Sequence, residues 1–449
     1  MNRRNLLLGA GGLAAASGLS SCDRLAKLAG SQSVALEQPS GPGAADPLLG
    51  ASLMRDVETY VGYGVHRSGG PGDVATSGWF AKRWSGLGYH VEQTPFDLPN
   101  ADTTTASLEI AGETFNGFAQ PPLAFTPADG LSAALATWDA KSPGDVTGRI
   151  AIVHILRQSG ANSPSAAYRE AFGKARDAGA VGVVGVISGP SGEVVAINTP
   201  VELTVEIPVL LIGERDQSRL FGAMAKGGHA RLRVLGPGGF RKARNTIARS
   251  GQSGPWLIVS TPQSGWFTCG GERGPGVAMS LALSQWALQK KLPCRLCFVA
   301  TSGHEWMYYG SDVFRKSGAP KPEETALWVH LGASYGARAY QEAADGLKPL
   351  GTPNGASTLM VSADLADGAK AAFVGQPGLG APAIGSVDRS AGELTALIKE
   401  GYKSYFGFFG AGALFHTPVD TAVSTSAAIM EPIARSIARL IEVRLARAG

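Results

Sequence analysis

Four stretches decide the fold: WLIVS (256–260), VAMSLALSQWALQKK (277–291), CRLCFVAT (294–301) and ALWVHLGA (326–333). The first, third and fourth are short apolar runs bounded by Gly, Pro or polar residues, as buried strands are. The second is long enough for about four turns of helix. Their alternation predicts an α/β fold, a mixed, mostly parallel sheet flanked by helices.

In such a sheet ligands gather beyond the carboxyl ends of the strands, and polar residues stand there. WLIVS runs into Thr261-Pro262-Gln263-Ser264, and Gly270-Gly271-Glu272-Arg273-Gly274-Pro275-Gly276 then opens the helix. CRLCFVAT runs into Ser302-Gly303-His304-Glu305, ALWV into His330, and FHTPVDT (415–421) follows near the end. Imidazole and carboxylate groups with an open position for water make a hydrolytic zinc site. Each also has a structural reading: His304 packing a loop, His330 hydrogen-bonded in the core, Glu272-Arg273 a plain ion pair. The cation between the carboxylates could equally be Arg273 or Arg389.

Further out, IEVRLARA closes a C-terminal helix with Ile433, Ile437, Leu440 and Ile441 on one face. Upstream, WFAKRWSGLG (79–88) has a helical pattern and YHVEQTPFDL (89–98) a strand-like one. Between about 130 and 236 the texture changes. VTGRIAIVHI, AVGVVGVI and IPVLLIG read as strands, and AYREAFGKARDAGA as a helix ending near Gly179. Cys294 and Cys297 have C-x-x-C spacing, but on a strand residues three apart face opposite sides. Buried thiols are therefore expected in place of a redox pair.

The chain begins MNRRNLLLGAGGLAAASGLSSC (1–22). Its apolar run is too short to span a bilayer comfortably. Arg3-Arg4 ahead of Leu6-Leu7-Leu8 resembles a twin-arginine export signal, and Leu19-Ser20-Ser21-Cys22 is similar to a bacterial lipobox with Cys22 as the lipidated residue. These resemblances imply a periplasmic or cell-envelope protein whose membrane contact is a lipid anchor. Residues 23–47, rich in Ala, Gly, Ser and Pro, read as a flexible linker.

Composition sets the outer limits. With 449 residues, 44% hydrophobic and 17% charged, the chain can bury a large core, which excludes general disorder. Forty basic against thirty-six acidic residues leave a net +4, no electrostatic footprint for nucleic acid. Four Cys exclude a disulfide scaffold.

The series HRSGGPGD (66–73), Glu272, FVATSGHEWMYYGS (298–311) and FHTPVDT resembles the zinc-dependent exopeptidase family of bacterial leucyl aminopeptidases, glutamate carboxypeptidase-like enzymes and glutaminyl cyclases. The block 130–236 resembles a protease-associated domain, an insert that shapes access to such sites. The organisation implied is 48–129 and 237–449 as two parts of one catalytic-like domain around that insert. The resemblance makes Glu272, Glu305, His416 and His330 the metal-ligand candidates and places His304 at the general-base position. Arg273, Tyr308 and Arg389 become candidates for contacting a peptide or amide substrate. The departures are specific. Thr261, Pro262 and Gln263 stand where the family has a ligand His followed by x-Asp, Glu272 where it has a bridging Asp, His304 where it has a general-base Glu, and His330 where it has an Asp. A single zinc ion and an aminopeptidase-like hydrolase are implied. The alternative is a relative that binds ligands, or acts on acyl groups, without metal.

Overall fold

The computed structural model describes residues 46–141, 143–156, 165–251, 253–344 and 346–446. Signal, lipidation and most linker expectations, Cys22 included, lie outside the described residues.

Two eight-stranded sheets carry the architecture. The main one runs His90–Pro99, Phe240–Ser250, Arg295–Thr301, Trp256–Pro262, Thr325–His330, Tyr405–Phe409, Thr358–Val361, Ala383–Ile384. Its centre is parallel from Arg295–Thr301 through Tyr405–Phe409, and antiparallel pairings flank that block on both sides. Trp256–Pro262 pairs on both edges and is buried along almost its whole length, which explains its unbroken apolar run. The helix Gly274–Gln289 is buried nearly all round, so it has no amphipathic stripe. Gly50–Gly62 and Ala427–Ala446 pack with it and with each other. The α/β, mixed-sheet expectation holds.

The second sheet is built from Glu113–Asn116, Thr105–Ile110, His229–Leu235, Leu131–Trp138, Ile150–Leu156, Gly182–Ser188, Val209–Ile212 and Phe118–Ala119. None of its strands joins the main sheet. It begins earlier than residue 130, because Thr105–Ile110 and Glu113–Asn116 form a hairpin across Ala111-Gly112. Both turn residues have positive φ, 49° and 78°, as a two-residue hairpin turn requires. Part of its contact with the main-sheet body is apolar: Phe118, Trp138, Phe172, Val195 and Leu211 share one core cluster with Trp266 and Trp306. Phe118 packs on Trp266 and Phe267 with ring centroids 5.7 and 5.3 Å apart.

Cys269, Cys294 and Cys297 are free and buried, as the strand reading of C-x-x-C implied. No helix among the described residues is long and apolar enough to cross a membrane.

Candidate functional site: an arginine between two glutamates

Three parallel strands end at one edge of the main sheet and deliver its polar residues together. Trp256–Pro262 leads into Gln263 and Ser264, Arg295–Thr301 into His304 and Glu305, and Thr325–His330 ends on His330 itself. The loop after Tyr405–Phe409 brings His416 to the same place.

At the centre lies Arg273, the residue that caps the buried helix. One of its terminal nitrogens, Nη2, is 3.0 Å from Glu272 Oε1 and 3.3 Å from Glu305 Oε1, with all three side chains essentially unexposed. Its Nε donates to Ser264 O at 3.2 Å. Glu305 Oε2 accepts from Ser264 Oγ at 2.7 Å. His416 Nε2 lies 3.4 Å from Glu272 Oε1. The Glu272 loop is pinned from behind by Asp420, which accepts the N–H groups of Gly271 (2.8 Å) and Glu272 (2.9 Å). The chain passes so close there that a Cβ at Gly270 would stand 2.1 Å from Thr421 O; only glycine fits.

Burial penalises every charge here, and neighbours decide the outcome. Burial raises the Glu272 carboxyl, but Arg273 and then His416 outweigh it and hold it down to about 2. Burial lowers the Arg273 guanidinium, but Glu272 and Glu305 raise it above its ordinary value. Asp420 lacks such a cation, and burial pushes it up to about 6.

His304 sits at the mouth of this cluster. Its side chain is 11% exposed, against 0–2% for Glu272, Arg273, Glu305, His330, Glu393 and His416. Its Nδ1 is 2.9 Å from Glu393 Oε1, and the Tyr308 ring packs edge-on at 4.8 Å. Burial, then the nearby Arg273 charge, lowers its pKa to about 3. His330 Nδ1 is 3.0 Å from Ser260 Oγ and 3.6 Å from Glu393 Oε2. Thr261 and Gln263 are core residues: Thr261 Oγ1 donates to Leu331 O, and Gln263 Nε2 donates to Asp73 Oδ1 at 2.8 Å. Arg389 is exposed, and no described contact ties it to the centre.

A strap from the second sheet's long loop closes the top. Ala196 N–H donates to His416 O (3.0 Å), His416 Nδ1 donates to Ala196 O (2.9 Å), and Thr199 N–H donates to Glu305 O (2.9 Å). Of the seven described non-glycine residues with positive φ, five border this centre: Cys269, Met307, Tyr308, Ser334 and His416. Strained backbone of this kind collects at functional sites.

The donor set does not fit a metal ion. Zinc needs its oxygen and nitrogen ligands at about 2.0–2.2 Å, and the space where Glu272 and Glu305 converge holds a guanidinium. An ion there would face that positive charge at close range. No group of three or more His, Cys, Asp or Glu side chains is placed to hold an ion among the described residues. Of the expected ligands, Glu272, Glu305 and His416 come together around Arg273, while His330 Nδ1 faces Ser260 and Glu393.

Sequence reasoning missed Glu393 and the strap Val195–Thr199, and gave Ser264 no role. Glu393 opens a short helix in AGELTALIK, where an acid reads as a helix-start residue, and nothing local signals His304 above it.

The overall fold is similar to that of a zinc aminopeptidase from Bacillus subtilis (TM-score 0.68, 16% identity, 89% of this chain and 96% of that one). It is also similar to an aminopeptidase from Aneurinibacillus sp. strain AM-1 (0.58, 17%, 88% and 95%). A third likeness is to a peptidase M28 precursor from Shewanella amazonensis SB2B (0.68, 17%, 88% and 93%). The chain therefore has an aminopeptidase fold. No family model and no curated protein sequence matches it.

Proposed function

We propose that the protein is a peptidase-type hydrolase of peptide or amide bonds whose centre works without a bound metal. The observation that carries the chemistry is His304 Nδ1 at 2.9 Å from Glu393 Oε1, a base and its orienting carboxylate at the least buried point of the cluster. The carboxylate fixes the proton on Nδ1 and leaves Nε2 free to accept. His304 takes a proton from a water whose oxygen bonds to the carbonyl carbon, and returns it to the leaving nitrogen as the C–N bond breaks. The Arg273 charge is close enough to act on His304. The test is a panel of peptide, amide and ester substrates in the presence of chelator. Turnover that survives chelator and is lost in His304→Ala supports the reading; turnover that vanishes with chelator and returns with zinc overturns it.

A second reading is favoured by the strap over Glu305 and His416 and by the low basicity of His304. In it the protein binds a peptide or amide ligand without cleaving it. Ligand-induced thermal stabilisation with no turnover across the panel separates the two.

The location we propose is the periplasmic side of the cell envelope, reached by the twin-arginine route and held by acyl chains on Cys22. The motif in residues 1–22 supports it, and stable anchoring takes more than one chain. Cys22→Ser should move the protein to the soluble fraction; retention in the membrane fraction would contradict the anchor. We assign the second sheet, residues 130–236 together with the strands from Thr105 to Ala119 that pair with them, to a protease-associated-like insert whose strap governs entry to the centre.

A further inference from the structure

We infer that the Arg273 guanidinium is a built-in cation standing where an ion would otherwise sit, and that this one side chain keeps the centre from binding a divalent metal. The inference rests on the metal-free reading above, but its test reads metal binding, so it can fail or hold separately from turnover.

Three acidic or imidazole groups aim at one nitrogen or at each other. Glu272 Oε1 is 3.0 Å and Glu305 Oε1 3.3 Å from Arg273 Nη2, and His416 Nε2 is 3.4 Å from the same Glu272 oxygen. His416 Nε2 has no hydrogen-bond partner. Its other ring nitrogen, Nδ1, donates to Ala196 O, which leaves Nε2 as the nitrogen turned inward. Two buried carboxylates cannot remain charged without a cation. Remove the guanidinium, and the side chains that surrounded it become two oxygens and one imidazole nitrogen around a vacated volume. Shifts of about 1 Å would bring the oxygens to zinc or cobalt distances, with water as the fourth ligand.

The geometry also says why the arginine is fixed. It lies at the start of a helix buried nearly all round, and its Nε is held by Ser264 O at 3.2 Å. Ser264 in turn donates to Glu305 at 2.7 Å. The guanidinium is therefore positioned by the same loop that positions one of its carboxylate partners.

The experiment is titration of the purified full-length chain with cobalt(II), followed by visible absorption of the four-coordinate ion. Wild type should show no such absorption. Arg273→Ala should bind about one cobalt per chain, and adding His416→Ala should abolish it. Arg273→Gln, which keeps volume without charge, is carried in parallel, and both variants are also refolded with cobalt present. Folding that depends on cobalt supports the inference. It is overturned if wild type binds cobalt in a His416-dependent way, if both variants fold and bind none, or if neither folds even with cobalt.

Discussion

Ala196 and His416 are tied to each other twice, Ala196 N–H to His416 O at 3.0 Å and His416 Nδ1–H to Ala196 O at 2.9 Å. The second sheet thereby reaches across and locks the loop that carries the centre's imidazole. His416→Phe keeps the ring's volume but leaves Ala196 O buried without its donor, costing about 1–3 kcal/mol. We expect amide exchange across Val195–Thr199 to speed up and the melting temperature to fall. Unchanged exchange in that segment would mean the strap is held by other contacts.

The buried ion cluster and a surface one should respond very differently to losing a partner. Glu305→Gln removes one carboxylate from a group that is at most 1% exposed, so a loss of about 3–5 kcal/mol is expected. Arg435→Ala breaks pairs to Asp46 and Glu431 whose side chains are 34–44% exposed, and about 0–1 kcal/mol is expected. Urea denaturation of the two variants side by side checks the contrast, which similar losses would contradict.

His66 sets an acid limit. It is fully buried and stacked on Tyr60 with centroids 3.8 Å apart, and burial lowers its pKa to about 4 from 6.5. The folded-state value is the lower one, so the unfolded chain takes the proton first. The stability present above pH 6.5 drains away as pH falls toward 4, by about 1.4 kcal/mol per pH unit for this group. His66→Phe should flatten the stability–pH curve by about one proton in that window. An unaltered slope would show that His66 does not drive the acid sensitivity.

Two glycines should behave in opposite ways. Gly270→Ala drives a Cβ against the backbone oxygen of Thr421 at 2.1 Å. Overpacking of that kind costs about 1–3 kcal/mol, here with displacement of the Asp420 loop. At Gly62, at the end of the helix Gly50–Gly62, a Cβ meets nothing within 4 Å, and Gly62→Ala should be neutral or stabilising by up to about 1 kcal/mol. Melting curves of both variants test the pair; equal losses would count against the close approach at Gly270.

The sheet's centre was legible in the sequence because WLIVS, CRLCFVAT and ALWVH are buried on both faces and stay apolar throughout. The hairpin at Ala111-Gly112 was not, because TASLEI and ETFN are half-polar and their alternation is short. At the site, sequence order placed Glu272, Glu305, His304 and His416 at one sheet edge. It could not choose between a metal and Arg273 as the cation, since that depends on where a long, flexible side chain turns inside the core. Glu393 was hidden for the same reason: its partner His304 is 89 residues away.

The central claim is that Arg273 supplies the positive charge a metal would otherwise supply. Elemental analysis of the wild-type protein, purified without chelator from cells grown with zinc, tests it most directly. The expected result is zinc far below one ion per chain, with no change in melting temperature on adding chelator. Close to one zinc per chain, lost in His416→Ala, would contradict the account.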